Sequence, residues 1–594
     1  MSRSILLFSL IVLMFGGATA GIIKVPDQYA TIQAGINAAF PGDTVLVAAG
    51  TYYENIYFKG KAITVASQFI IDADTTHINN TIIDGSKPSD PNKGSVVSFV
   101  SGEDTTSVLC GFTITGGNGT YYAPYSTRAG GGIYCLNSGC KIIANKIINN
   151  SITGPGASGG GLAALPEGSS AYVILRNNQI LQNSITANSY PASGGGVWLP
   201  CNGTLVNNRI SFNSIIQNAA TSNAMSGGVE CFSSSSDRRK VVVESNKITH
   251  NSVKSFSTIQ GLSALAGGIA IFQGYGRLAK NEVSHNELWV NSDRNAAGAG
   301  IELYEVPDSL VVEGNIIREN AVTHGVGWGG GLNFYYASST LINNIIDGNS
   351  ATNGGGILIA GGTMKLINNT IVNNRATSGG GICLGYYNPT NYLMNTITWG
   401  NQATTNPAIH IYTGTIHIAY SDVQGGWLGT GNIKADPLFA DTLFHLSSAS
   451  PCINAGIDSL LMGGIMVKCP PDDYEGDPRP YPGTRPDIGA DETVITGIKS
   501  RLDGNIPKEY ALSQNYPNPF NPSTTIEFAL PKSAFITLKV YNLLGEEVAT
   551  LVAEKRSAGI HKINWEATGL ASGVYLYRLE AGEYVQNKKL ILLR

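Results

Sequence analysis

Two carboxylates, Glu230 and Glu302, each stand at the second position after a glycine-rich stretch, and the same position in other repeats carries Tyr134, Ala163, Trp198, Ala270, Asn333 and Leu358. On a strand this position points out of the core. Trp198, Glu230, Glu302 and Asn333 then share one face, with Tyr304 and Tyr335 at its edge. Aromatic rings beside carboxylates suit a groove that stacks sugars. Glu230 and Glu302 are two repeats apart, roughly 10 Å if repeats stack as strands do. That is near the upper range for the acid and base of an inverting glycosidase. Glutamates on a long face are ordinarily just solvated, so the pair marks candidates for catalysis without assigning it. A second outward column, His250, His285 and Glu319, could bind a metal or shuttle a proton. No third histidine completes a site there, and no metal is assigned.

These positions depend on a repeat. Asn145, Asn178, Asn208, Asn246, Asn281, Asn315, Asn344, Asn369 and Asn395 are each followed two positions later by Ile or Val. A second asparagine comes five residues on, at Asn150, Asn183, Asn213, Asn251, Asn286, Asn320, Asn349 and Asn374, and only the ninth repeat slips. A variable loop, a glycine cluster such as Gly354 to Gly356, and an alternating apolar stretch such as Ile357 and Ile359 complete the unit. The asparagines recur every 25 to 38 residues, which leaves no room for helices and two short strands per repeat. Such strands read as coils of a β-solenoid stacked in parallel about 4.8 Å apart. Asparagine tolerates the left-handed corner conformation, and like amides can hydrogen-bond up the stack. Glycine suits corners where no Cβ fits. The longest inserted loops, around 121–129, 219–226, 253–266 and 287–297, adjoin the outward column and could wall it.

Composition agrees. The 594 residues exceed one compact core, and charged residues make up 13% against about 25% in ordinary globular chains. A net charge of -4 gives no electrostatic reason to bind nucleic acid or an anionic membrane. Arg3, the apolar run Ile5 to Phe15 and Ala18-Thr19-Ala20 have the three parts of a secretory signal peptide (1–20), with cleavage between Ala20 and Gly21. No later stretch is long and apolar enough to form a membrane-spanning helix. The eight cysteines leave disulfides and free buried thiols both open, Cys135 with Cys140 and Cys452 with Cys469 being the best pairs.

With its ladder, the chain resembles right-handed parallel β-helix proteins of the pectate-lyase-like superfamily. The stretch "YATIQAGINAAFPGDTVLVAAGTYYENIYF" (29–58) resembles that family's capping helix and first coil, with Ile32, Ile36 and Ala39 or Phe40 on its apolar face. The resemblance implies an all-β parallel solenoid over 21–430. It allows calcium, and it leaves activity open because the superfamily holds lyases, hydrolases, esterases, adhesins and scaffolds. The paired aspartates of polygalacturonase-like members, the Gln-Asp and Arg set of pectin esterases and the aspartate cluster of pectate lyases are not evident. No Ser/His/Asp order or nucleotide fingerprint is evident either.

The stretch "DPLFADTLFHLSSASPCINAGID" with "DYEGDPRPYPGTRPDIGADE" resembles the closing segment that follows many bacterial β-helices, and 431–492 is expected to cap the solenoid's C-terminal end. After a linker at 493–508, six or seven strands in 509–594 read as a small β-sandwich. "YALSQNYPNPFNPSTTIEFALP" and "GVYLYRLEAGEYVQNKKLILLR" resemble the C-terminal sorting domain of type IX secretion. That implies partnership with the type IX machinery and a place at the cell surface of, or outside, a Gram-negative bacterium. The sequence thus points to an exported β-helix that binds polysaccharide or serves adhesion. The alternatives are a polysaccharide lyase or glycosidase in the groove, and a surface scaffold without ligand. The mature protein is predicted to begin at Gly21, as N-terminal sequencing of exported material will read; a start well inside the solenoid would contradict the signal peptide.

Overall fold

One coil shows how the solenoid is made. Leu310–Glu313 runs in a first sheet, turns at Gly314 and Asn315 into Ile316–Arg318 of a second, and returns through a glycine corner to Leu332–Tyr335 of a third. Repetition gives parallel sheets of 14, 13 and 12 strands around one continuous core of Ile, Val, Leu and Phe. The computed structural model describes residues 20–493 and 510–592, apart from 166–170, 234–236, 260, 308, 481–483, 533, 543–546, 557–558 and 582–583. The expected signal peptide, apart from Ala20, and all of the linker but Thr493 lie outside the described residues.

Three strands per coil, not two, is a correction to the sequence reading. The strand before each first asparagine was hidden because its corner is so short: one left-handed residue and the asparagine itself, which do not break the apolar pattern. The left-handed residue is also not the one expected. It precedes the ladder position, at Asn177, Asn207, Ser245, Lys280, Gly314, Asn343 and Asn368. The ladder asparagine turns inward instead. In Asn281 the backbone N–H and Nδ2 both donate to Asn315 Oδ1 (3.0 and 2.9 Å), while Nδ2 also donates to the Val243 carbonyl at 2.8 Å. The same bonds link Asn178, Asn208, Asn246, Asn281, Asn315, Asn344 and Asn369 in one row, and Asn150 to Asn401 in the other. Asn395 is corrected too: it takes the left-handed corner, and Thr396 and Ser421 hydroxyls extend the first row. The glycines let these corners stack closely, since a Cβ on Gly331 would lie 2.6 Å from the Gly356 carbonyl oxygen.

Helix α1, Ile32–Ala38, covers the N-terminal end, with Thr31 Oγ1 accepting from Ala34 N–H and Glu54 accepting from Ile32 and Gln33 N–H. Ile32, Ile36 and Ala39 face the core, and Phe40 is 73% exposed. At the other end Trp427 packs against the core. The closing segment caps that end through its first residues, Asn432 Oδ1 accepting from Ser421 N–H and Ile433 bridging Asp422, and then leaves it. It lies along the corner between the first and second sheets, where Asn343 Nδ2 donates to Asp472 O and Asn368 Nδ2 to Asp487 O. The outward apolar residues Val372 and Ile397 find cover there from Leu446, Cys452 and Ile488.

All eight cysteines are free thiols. Cys135 and Cys140 face each other with Sγ atoms 3.6 Å apart. Cys452 and Cys469 do not pair: their thiols meet Asp422 and Asn368 respectively, in separate apolar clusters. Residues 510–592 form antiparallel sheets of three and four strands around Phe528, Leu538 and Tyr577. Asn344→Ala with Asn369→Ala orphans buried backbone N–H groups at about 1–3 kcal/mol each. The double variant is expected to lower the thermal midpoint by several degrees, and an unchanged melt would rule out the ladder as a source of stability.

Candidate functional site

After the second row of asparagines the chain leaves the solenoid and comes back. Ser184–Ala187, Ser214–Gln217, Ser252–Ser255 and Glu287–Val290 run outward in a six-stranded parallel sheet. Ala192–Ser193, Ala224–Met225, Leu262–Leu265 and Asn295–Ala297 return in a nine-stranded one. Alternation places Ile185, Ile215, Val253 and Leu288 against Ala192, Ala224, Ala264 and Ala296, a second small core that makes the inserted loops a fin. The fin stands beside the third sheet, and the corner between them is the groove.

The third sheet carries the outward column in register, Tyr134 beside Ala163, then Trp198, Glu230, Ala270, Glu302, Asn333 and Leu358 in successive coils. The column is not solvated. Tyr134, Glu230, Glu302 and Asn333 are buried and Trp198 half-buried, because the fin's returning strands lie over the sheet. Trp198 Nε1 donates to Glu230 Oε1 at 3.3 Å. Asn333 Nδ2 donates to both Glu302 oxygens, at 3.0 and 2.9 Å, while Asn333 Oδ1 has no hydrogen-bond partner. Burial pushes both carboxyls up to about 8, against the opposing hydrogen bonds.

Above the column lie two adjoining cavities. One of about 700 Å³ is lined by Tyr122, Tyr125, Tyr190, Trp198, Phe232 and Arg239 among others. The other, of about 500 Å³, is lined by Phe272, Tyr304, Trp328, Tyr335, Tyr386 and Tyr387 with Met225, Leu262 and Leu265. Phe232, Phe272, Tyr304 and Tyr335 are in register on consecutive coils, their ring centroids 5.9, 5.6 and 4.8 Å apart. Tyr304 and Tyr335 stack on one another, so they present ring edges and hydroxyls to the groove. The sequence reading named Tyr304 and Tyr335 and missed Phe232 and Phe272, which extending that column by two coils would have supplied. Trp328, Tyr386 and Tyr387 come from the fin and a loop, where no period marks them.

The second column occupies left-handed corners beside the fin's outgoing strands, with φ of 57°, 56° and 53° at His250, His285 and Glu319. Phe212, His250 and His285 stack at 4.8 and 4.7 Å, and His285 Nε2 meets Glu319 Oε2 at 2.5 Å. Burial, then the neighbouring His285, lowers the His250 pKa. Among the described residues no three His, Cys, Asp or Glu side chains gather to hold a metal. Calcium wants six to eight oxygens with ionised carboxylates, and two buried carboxyls two coils apart do not fit it.

Because Glu230 and Glu302 titrate near 8 when folded and near 4.5 when exposed, their stabilising contribution is full below about pH 4.5 and is lost as pH rises toward 8. Glu302→Gln is therefore expected to flatten the fall in thermal midpoint between pH 5 and 9 relative to the parent, read by melts across that range; identical slopes would show that Glu302 is ionised in the fold.

Residues 214–376 match the family model described as the right handed beta helix region, and residues 514–593 that of the secretion system C-terminal sorting domain. The second match coincides with the antiparallel sheets, where Asn515 of the Asn-Tyr-Pro-Asn-Pro-Phe stretch holds Thr524 and the Pro517 carbonyl. No curated protein matches the chain. Among the described residues no helix is long and apolar enough to cross a membrane. Stacked parallel sheets, the helix-region match and the sorting domain together make this chain a right-handed β-helix protein with a type IX secretion sorting domain, secreted or attached at the surface of a Gram-negative bacterium.

Proposed function

We propose that the solenoid binds a polysaccharide in the groove between its third sheet and the fin, serving attachment or adhesion after export through the Sec route and the type IX machinery. The observation that carries this reading is the run of aromatic side chains over two adjoining cavities of about 700 and 500 Å³. Sugar rings offer an apolar C–H face and a hydroxyl rim, and rings with phenol edges match both. The cavities follow the solenoid axis, as a chain ligand requires.

Binding fits better than turnover. Glu230 and Glu302 are held neutral beneath the aromatic layer, and an acid without an ionised partner across the scissile bond lacks the second group that glycoside hydrolysis uses. Trp198→Ala and Tyr335→Ala are each expected to weaken retention on a recognised polysaccharide by up to about tenfold, measured by isothermal titration with melts as the folding control. Product analysis by mass spectrometry is expected to find the polysaccharide intact. Oligosaccharide release that disappears in Glu230→Gln or Glu302→Gln would overturn binding in favour of a lyase or glycosidase.

A further inference from the structure

We propose that the groove selects uncharged polysaccharides and rejects polyanionic ones such as uronate or sulfated chains. This deepens the binding reading above and rests on it. The 500 Å³ cavity is lined by Asn223, Met225, Leu262, Leu265, the aromatic cluster, Ile259 and Gly261, and among the described residues no Asp, Glu, Lys, Arg or His lines it. In the 700 Å³ cavity the single charged lining residue among the described residues is Arg239, whose guanidinium is paired with Asp237. Lys254 of the fin is turned away: it lies on the outgoing sheet, its Nζ 5.1 Å from the Phe256 ring centroid and 4.7 Å from that of Trp289.

Beside the 500 Å³ cavity the charge at the groove edge is negative. Glu305 follows Tyr304 at the coil corner, accepts from Gln273 Nε2 at 2.6 Å, and adds to burial in holding the Tyr304 phenol above its ordinary range. Beneath the floor lies the buried carboxyl of Glu302, which offers an anion no positive charge. A carboxylate or sulfate laid in the 500 Å³ cavity would lose water without gaining a cation, and in the 700 Å³ cavity it would have to displace Asp237 from Arg239. A neutral chain loses only hydroxyl hydration, which the hydroxyls of Tyr304, Tyr335 and Tyr387 can replace. With no ion pairs to screen, its binding is insensitive to salt.

Affinity electrophoresis of the full chain tests this, in gels cast with galactomannan, arabinoxylan or laminarin and in gels cast with polygalacturonate, alginate or chondroitin sulfate. The expected result is retardation by at least one neutral polymer and by none of the acidic ones, unchanged when ionic strength rises about tenfold. Phe232→Ala and Tyr387→Ala, at side chains 45% and 54% exposed, should each weaken that retardation by up to about tenfold with unchanged melts. Retardation by acidic polymers alone, lost on adding salt, would overturn the selectivity and leave groove binding standing. No retardation by any of the six, from protein with a normal melt, would overturn the binding reading and the selectivity with it.

Discussion

The buried asparagine amide is the constraint on which the rest of this molecule depends. A parallel coil must turn sharply while every backbone group at the turn stays hydrogen-bonded, because these corners are sealed from water. Asparagine does this with one short side chain. Its Oδ1 takes the N–H of the preceding coil's asparagine, and its Nδ2 returns to a carbonyl three positions before that one, as Asn315 does for Asn281 and Leu278. The amide must then point inward, which forces the preceding residue into the left-handed region and the strands on either side into fixed directions. Two such rows hold consecutive coils in register from Asn145 and Asn150 onward.

Register in turn decides the surface. Once coils cannot slip, a side chain at one position of a strand lies over its counterpart in the next coil, and Phe232, Phe272, Tyr304 and Tyr335 become a column. The variable loops that interrupt the repeat are disciplined by the same stacking. With Ile, Val or Leu on the outgoing strand and Ala on the returning one, they close a second core and stand up as a fin. A groove between a flat sheet and a straight fin is a consequence of two parallel stacks sharing one axis. The buried glutamates follow as well, since the returning strands lie over positions that a bare solenoid would have left in water.

The C-terminal sandwich obeys different rules. Its strands are longer and antiparallel, and its closure relies on side chains of unlike elements: Tyr577 OH donates to the Ser513 carbonyl and accepts from the Asn515 N–H. The Asn-Pro stretch, the most distinctive piece of sequence in the chain, is fixed by Asn515 and Thr524 and keeps Tyr516 exposed. The recognition that directs export is thus built separately from the groove and makes no demand on its chemistry.

Period and composition determined the solenoid, its stacking direction and its outward column, because a two-residue alternation and a recurring amide are local facts that any coil must satisfy. The terminal helix and the sandwich were legible for the same reason. Three things were not. The first-sheet strand was hidden by a two-residue corner that leaves the apolar alternation unbroken. The left-handed role of the residue before each asparagine was hidden because Lys280, His250 and Glu319 accept it without any residue type in common. The burial of Glu230 and Glu302 depended on the fin, and a loop's path is set by what it packs against, a tertiary interaction that no window of sequence contains. For the same reason the sequence could place Tyr304 and Tyr335 on one face, but only the packed fin could bring Trp328 and Tyr387 to the same cavity.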